Sequence, residues 1–502
     1  MKKLKLITVI LVCLVLTAAL ISCGDTGNDI TNEPDNTAVD MQSLDDTEEP
    51  AKDDRILPDL PDGLDYGGYV FTFLAHHEPG IGNWVSEDPR EVTAEALTGE
   101  PINDAVYERN SILKEKYNID FNMFTFQEER SELRKAVNAG DNIYDAVIIF
   151  NNNIGAVVAD SVLINIAHLP HIDVSKPWWD PGVNALSIDN KNYLLGGDML
   201  ILDNEATNAM LFNKVLMADL GLDLPYSLVR EGKWTMDKLH EYITGASMDL
   251  NGDGQMTHFE DRFGLIVFND TLQAFLVAGG GAFAFKDEND LPYMSFTGSR
   301  SLSILDKVMD IQYNKQYVMN VMDLPFSPER WDSAYYGTFS ENRALFTWAR
   351  MRVTEMHRGM EADFGIIPMP KYDEVQETYY SLVNPYTGVL VGVPKTADDL
   401  ERTSVILEAM AAESRYTLQP AYYDITLQRK YTRDDDSSDM LDLIFSTRVY
   451  DIGGMYDFGG IFGGFSGLSA NTDRNIQSYY DRNIGRMERD IEKITSIFQS
   501  MD

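Results

Sequence analysis

The run Tyr144-Asp145-Ala146-Val147-Ile148-Ile149-Phe150 narrows the possible folds more than any other stretch, because every position from 146 to 150 is apolar. A strand with one wet face alternates polar and apolar side chains. Five apolar positions in a row need cover on both faces, as in a parallel sheet sandwiched by helices. The neighbouring segments fit that arrangement. Residues 69–75 read as a strand, and residues 101–117 as a helix, with Pro101 at its start and Ile102, Val106, Ile112 and Leu113 near helical spacing. Residues 119–126 then read as strand and 128–139 as helix. Further strands are expected at 263–268, 364–367 and 388–393, and helices at 302–316 and 400–413. Alternating strands and helices imply an α/β architecture. No internal repeat interrupts it.

The chain has 502 residues, a length that suits two to four domains. Its first residues carry Lys2, Lys3 and Lys5, then an apolar run over 6–20, then small residues, which is the pattern of an export signal. At roughly 15 residues that run is short for a membrane span of about 20. Leu20-Ile21-Ser22-Cys23 resembles a bacterial lipobox, which implies cleavage after residue 22 and a diacylated Cys23. The other cysteine, Cys13, lies inside the signal, so no disulfide framework is expected. Residues 24–60 hold twelve acidic and two basic residues and no aromatic one. Such a segment buries too little apolar surface to offset its ordering entropy, and residues 23–60 are expected to form a disordered acidic linker.

Eighty acidic residues against 41 basic give a net charge of −39. A surface that repels phosphate lacks the basic footprint of a nucleic-acid binder, so nucleic acid is excluded as a partner. Apolar residues make up 44% and aromatics 11%, which marks the rest of the chain as globular.

Several segments together resemble the extracellular solute-binding lipoproteins of bacterial ABC importers, the large sugar-binding type. They are Tyr144-Asp145-Ala146-Val147-Ile148, Asn165-Ile166-Ala167-His168-Leu169-Pro170, Leu211-Phe212-Asn213-Lys214, Gly232-Lys233-Trp234-Thr235-Met236-Asp237-Lys238-Leu239, Phe364-Gly365-Ile366-Ile367-Pro368-Met369-Pro370 and Gly392-Val393-Pro394-Lys395. The chain departs from that pattern at Glu341-Asn342-Arg343-Ala344-Leu345-Phe346, and residues 453–467 have no general counterpart in it. The resemblance implies a type II periplasmic-binding fold, two α/β lobes joined by a hinge that close on a ligand. It also implies capture of a carbohydrate, an oligosaccharide, for delivery to an ABC permease, without catalysis. The expected product is a monomer, lipid-anchored on the outer face of the bacterial cell membrane. The expected division gives lobe one residues 66–170 and about 345–395, and lobe two residues 171–344 and about 396–502.

Independently of that resemblance, residues 249–260 fit a twelve-residue calcium loop. Asp249, Asn251 and Asp253 stand at positions 1, 3 and 5, Gly254 permits the turn, Gln255 offers its carbonyl, Thr257 stands at position 9 and Glu260 closes the loop. A hard cation needs six or seven oxygens, and this spacing wraps them about one centre. An acidic Asn-Gly turn without metal is the plain alternative. A single copy suits a structural Ca2+ in lobe two and argues against a paired sensor.

A sugar cleft needs aromatic faces together with carboxylates and amides. The candidate ligand residues are Trp84 in a loop after the first strand, Asn151 at the end of the strand over 147–150, Asp198 after two glycines, Trp331, Trp348, and Tyr386 beside a proline. Trp234 reads as packing, as does one of Trp178 and Trp179. Alternatives to a sugar are a peptide or a uronate. A surface glycoside hydrolase is the enzyme alternative, but no carboxylate pair stands out, and no His-Glu-x-x-His, Gly-x-Ser-x-Gly or phosphate-loop motif is present.

Overall fold

The computed structural model describes residues 55–77, 89–325, 327, 330–357, 359–428 and 435–501, with side chains undescribed over 425–428 and at 435. The chain divides into Met1–Arg55 and Ile56–Asp502, and only the second unit is described below. The expected signal, Cys23, most of the linker and Trp84 lie outside the described residues.

Nine strands carry the architecture: β1 (Tyr69–His76), β2 (Ile119–Phe126), β3 (Ala146–Phe150), β4 (Asn208–Asn213), β5 (Phe263–Val267), β6 (Val318–Asn320), β7 (Ala344–Arg350), β8 (Phe364–Ile367) and β9 (Val389–Gly392). The first sheet has the order β9-β3-β1-β2, and the second β8-β4-β7-β5-β6. β1 runs parallel to β2 and β3, with Phe73 opposite Ala146, while β9 returns antiparallel with Val389 opposite Phe150. In the second sheet β5 is parallel to β6 and β7, and β4 is antiparallel to both β7 and β8. The principal helices are α1 (Pro101–Tyr117), α2 (Glu129–Ala139), α3 (Met236–Ala246), α4 (Ser299–Gln312), α5 (Leu400–Ser414) and α6 (Ile476–Ser500).

β3 behaves as its composition demands. Ala146, Ile148 and Phe150 enter one core with Phe71, Phe73 and α5 residues, while Val147 and Ile149 enter another with Leu133 and Phe498. The first sheet is covered on both faces. α1 begins where the Glu100 carboxylate accepts the Asn103 amide ahead of Pro101, a side-chain cap followed by a ring pre-set for helix. It stops at Asn118, which takes left-handed φ 54° and returns its N–H to Lys114 O. Its inner face buries Val106, Leu113 and also Arg109, whose guanidinium donates to Glu91 O, Val92 O and Ser414 Oγ. Burial pulls the Arg109 pKa down to about 9.

The expected lobe boundaries need correction. Residues 345–367 do not return to the first sheet, because β7 pairs with β4 on one side and β5 on the other, deep in the second. Residues 171–206 stay with the first lobe: Leu195 bridges to Val391, and the buried Trp178 and Trp179 donate their indole N–H groups to Glu408 of α5. α5 also belongs to the first lobe, through Val405, Ile406 and Met410. The last turns of α6 insert Ile494 and Phe498 beneath the first sheet, while Ile476 and Met487 pack in the second-lobe core. An apolar strand states that it is buried and leaves open which sheet buries it. The chain passes between the two cores near Thr207, over 382–389 and over 444–450. These crossings are bonded together: Asn384 N–H donates to Ala206 O, Val383 N–H to Val449 O and Met351 N–H to Thr207 O.

Candidate functional site

The crossings bring the ends of strands from both lobes to one place. Asn151 follows β3, Asn208 opens β4 opposite Arg350 of β7, and Asp270 stands three residues after β5. All four are buried. The Asp270 Oδ2 accepts Asn384 Nδ2 at 2.6 Å, and Asn384 in turn caps the Tyr386 amide at 2.9 Å. Gly388 lets this loop approach Asn151: its carbonyl accepts the Asn151 N–H at 2.9 Å, and a Cβ there would lie 2.5 Å from Asn151 Nδ2.

This cluster is short of partners. Both amide atoms of Asn151, both of Asn208, Asp270 Oδ1, Thr387 Oγ1 and Trp348 Nε1 are buried with no hydrogen bond among the described residues. Buried polar atoms in native proteins are satisfied, and what the chain does not supply comes from ordered water or a bound molecule. Burial pushes the Asp270 pKa up, against the opposing pull of Arg350 and the Asn384 hydrogen bond.

An aromatic group stands beside these atoms. Trp348 of β7 stacks with Phe268 at 6.4 Å, Trp331 meets Phe268 at 5.0 Å, and Tyr335 lies 6.1 Å from Phe268. Tyr335 also feels the charges of Arg350 and Asp270, which ties the rings to the polar cluster. Tyr386, 40% exposed, sits with its ring 5.0 Å from Phe462, and burial of its hydroxyl pushes the pKa up to about 12. On the first-lobe side, His76 ends β1 with Nδ1 2.7 Å from Glu129 Oε2 and its ring 4.7 Å from Phe150, while Asn153 donates to Glu129 Oε1. A second charged group holds Arg90 and Arg352 on Glu205 and Glu355, linking the crossing near Thr207 to residues 351–357.

Of the residues expected from sequence, Asn151, Trp331, Trp348 and Tyr386 come together at this junction. Asp198 does not join them. It bonds Arg415 at 3.0 Å on the flank of the first lobe, and its carboxyl is raised to about 6 by burial. Sequence reasoning missed Asn208, Phe268, Asp270, Tyr335, Arg350 and Asn384. The Phe268-Asn269-Asp270 triplet directly after a strand was the available signal, of the same kind as Asn151.

The 249–260 loop keeps the turns expected of it. Gly252 and Gly254 take φ +74° and +80°, Asp249 accepts the amides of both, and Asn251 and Asp253 accept those of Asp253 and Gln255. Glu260 is drawn aside by Asn251 Nδ2 at 3.0 Å, and the buried carboxylate that ties the loop is Asp261, on the amides of Leu250 and Thr257. Among the described residues no three acidic or histidine side chains converge on a metal position. A cation here requires Glu260 to turn inward.

Burial also raises Glu408 and Asp203 to about 7 and Asp451 to about 6, while it lowers His357 to about 3. A carboxyl whose pKa is higher folded than unfolded binds its proton more tightly when folded, so its stabilisation is full below about 4 and is lost as pH rises through 6 to 7. The histidine acts oppositely, losing stability as pH falls from 6.5. With Asp198, four carboxyls oppose one imidazole, so the thermal midpoint is expected to be higher at pH 5.5 than at pH 8. A midpoint that falls on going from pH 8 to 5.5 refutes this balance.

Many solved structures match this fold, and three of them have the following measures. UspC of M. tuberculosis is 12% identical with a TM-score of 0.55, over 84% of this chain and 100% of that one. A cyclo/maltodextrin-binding protein complexed with maltotetraose is 12% identical at a TM-score of 0.52, over 87% of this chain and 98% of that one. RafE from Streptococcus pneumoniae is 13% identical at 0.51, over 87% and 98%. This is the two-lobed solute-binding fold. At such identities the likeness speaks for the fold alone. No family model matches the chain. No curated protein matches it in sequence. The unpartnered atoms stand where the chain passes between the two cores. Among the described residues no helix is long and apolar enough to cross a membrane.

Proposed function

We propose that this chain is an extracytoplasmic solute-binding protein that captures an oligosaccharide between its lobes and passes it to an ABC permease, without catalysing a reaction. The observation that carries the reading is the set of buried, unpartnered Asn, Asp and Thr atoms beside the Phe268, Trp331 and Trp348 rings. Sugar hydroxyls both donate and accept, and sugar ring faces are apolar, so one ligand answers both halves of the site. The bound maltotetraose of the cyclo/maltodextrin-binding neighbour has that chemistry. Acylation of Cys23 would hold the protein at the outer face of the membrane, and Cys23→Ser is then expected to move it from the membrane fraction to the medium.

The test is a thermal-shift screen of the mature chain against oligosaccharides, peptides and uronates. A ligand that binds the native state with micromolar affinity adds about 4 kcal/mol at millimolar concentration. A rise with one oligosaccharide class and no turnover supports the reading. A rise with peptides alone, or hydrolysis of the sugar, sinks it.

Calcium in the 249–260 loop belongs to the same reading as a structural ion of the second lobe. With dissociation constants of about 10⁻⁴ to 10⁻³ M for extracellular calcium modules, millimolar calcium is expected to raise the thermal midpoint. Asp249→Ala should abolish the rise and leave sugar affinity alone. A midpoint indifferent to calcium and chelator refutes it.

A further inference from the structure

A cavity of about 340 Å³ opens on the flank of the first lobe, with Asp198, Arg415, Tyr416, Gln419, Tyr423 and Phe445 around it. It shares no lining residue with the unpartnered atoms at the lobe junction. Its polar side is held rigidly. Gln419 Nε2 donates to the carbonyls of Asp198 and Leu200 and its Oε1 accepts from Asn204 Nδ2, while Arg448 is locked onto Asp180, Asp203 and Asn204. Asp198 and Arg415 make one contact with each other, Nη1 to Oδ2 at 3.0 Å, and Arg415 Nη1 also reaches Pro177 O. Among the described residues nothing donates to Asp198 Oδ1, and nothing accepts from Arg415 Nη2 or Nε. Both side chains are partly exposed.

The cavity thus presents an acceptor and a donor side by side, of opposite charge that cancels, next to the rings of Tyr423 and Phe445. Neighbouring ring hydroxyls meet that pattern, since one can donate to the carboxylate while the next accepts from the guanidinium. A ligand of net charge is attracted by one member of the Asp198–Arg415 pair and repelled by the other, whereas a neutral one uses the open Oδ1 and guanidinium nitrogens of both. The volume is at the small end for ligand pockets and suits one ring.

We propose that this cavity is a second binding site, distinct from the lobe junction, for a single neutral polyhydroxylated ring such as a pyranoside. It adjoins the crossing segments, since Asn204 lies in the short helix Leu202–Ala206 just before Thr207 and Arg448 lies in the crossing over 444–450.

The experiment is saturation-transfer NMR on the mature chain with methyl α-glucoside, methyl β-galactoside and xylose, repeated on Asp198→Asn, Tyr423→Ala and the junction variant Trp331→Ala. Thermal midpoints are measured alongside to confirm folding. At least one of these sugars is expected to show transfer that survives Trp331→Ala and falls at least tenfold in Asp198→Asn. Tyr423→Ala, which leaves the carboxylate untouched, should give a comparable loss. Transfer lost in Trp331→Ala and unchanged in Asp198→Asn would assign all sugar binding to the junction and overturn the second site. Absence of transfer from every sugar, or binding of glycine or arginine at this cavity in their place, would overturn it too. The failure of the oligosaccharide reading shows separately, as loss of the Trp331-dependent signal alone.

Discussion

Asp270→Asn is expected to weaken solute binding about a hundredfold while leaving the fold as stable as before, or more so. The carboxylate is buried, its Oδ1 has no donor among the described residues, and its pKa is raised by that burial. A group in this state costs stability in the empty protein, and relieving its charge does not unfold the molecule. In the complex, Oδ1 would accept a solute hydroxyl, and a hydrogen bond to a charged group contributes about 1.5 to 3 kcal/mol. Tenfold in affinity corresponds to about 1.4 kcal/mol, which sets the expected factor. Asn keeps an oxygen for Asn384 but not the charge. Calorimetry with the sugar found in the thermal screen measures the effect, and an unchanged dissociation constant removes Asp270 from the site.

Trp234→Ala is expected to lose about 4 kcal/mol of stability, the usual cost of removing a buried tryptophan. Its ring is fully buried in the second-lobe core, 5.5 Å from Phe346 and 6.3 Å from Tyr242, and its indole N–H donates to Pro368 O at 3.0 Å. Alanine opens a cavity and strands the carbonyl together. Phenylalanine at the same position fills most of the volume and loses the hydrogen bond, so a smaller loss of about 1 to 2 kcal/mol is expected. Urea unfolding of the two variants separates the contributions. A loss below about 1 kcal/mol for Trp234→Ala would mean that the core collapses around the gap.

The two variants probe different kinds of legibility. Trp234 was readable as packing from its place at the start of a helix, and the structure agrees because α3 begins two residues later, at Met236, with Thr235 as its cap. Asp270 was not readable. Among 80 acidic residues it carries no motif, and what sets it apart is its contact with Asn384, in the crossing over 382–389, and the charge of Arg350 at the end of β7, both far from it along the chain. The same holds for Asp198, whose position after two glycines looked like a cleft residue, yet whose carboxylate is held by Arg415 on the flank.

The chain by itself determined the local elements. The apolar run at 146–150 fixed a strand covered on both faces, Pro101 with Glu100 fixed where α1 starts, and the spacing at 249–260 fixed the turns of its loop, because each rests on interactions within a few residues. Only the tertiary structure decided which sheet took β7 and β8, that α5 and the last turns of α6 return to the first sheet, and which polar atoms remain without partners. Those outcomes depend on pairings across hundreds of residues, where one buried strand is chemically equivalent to another and only the complete packing distinguishes them.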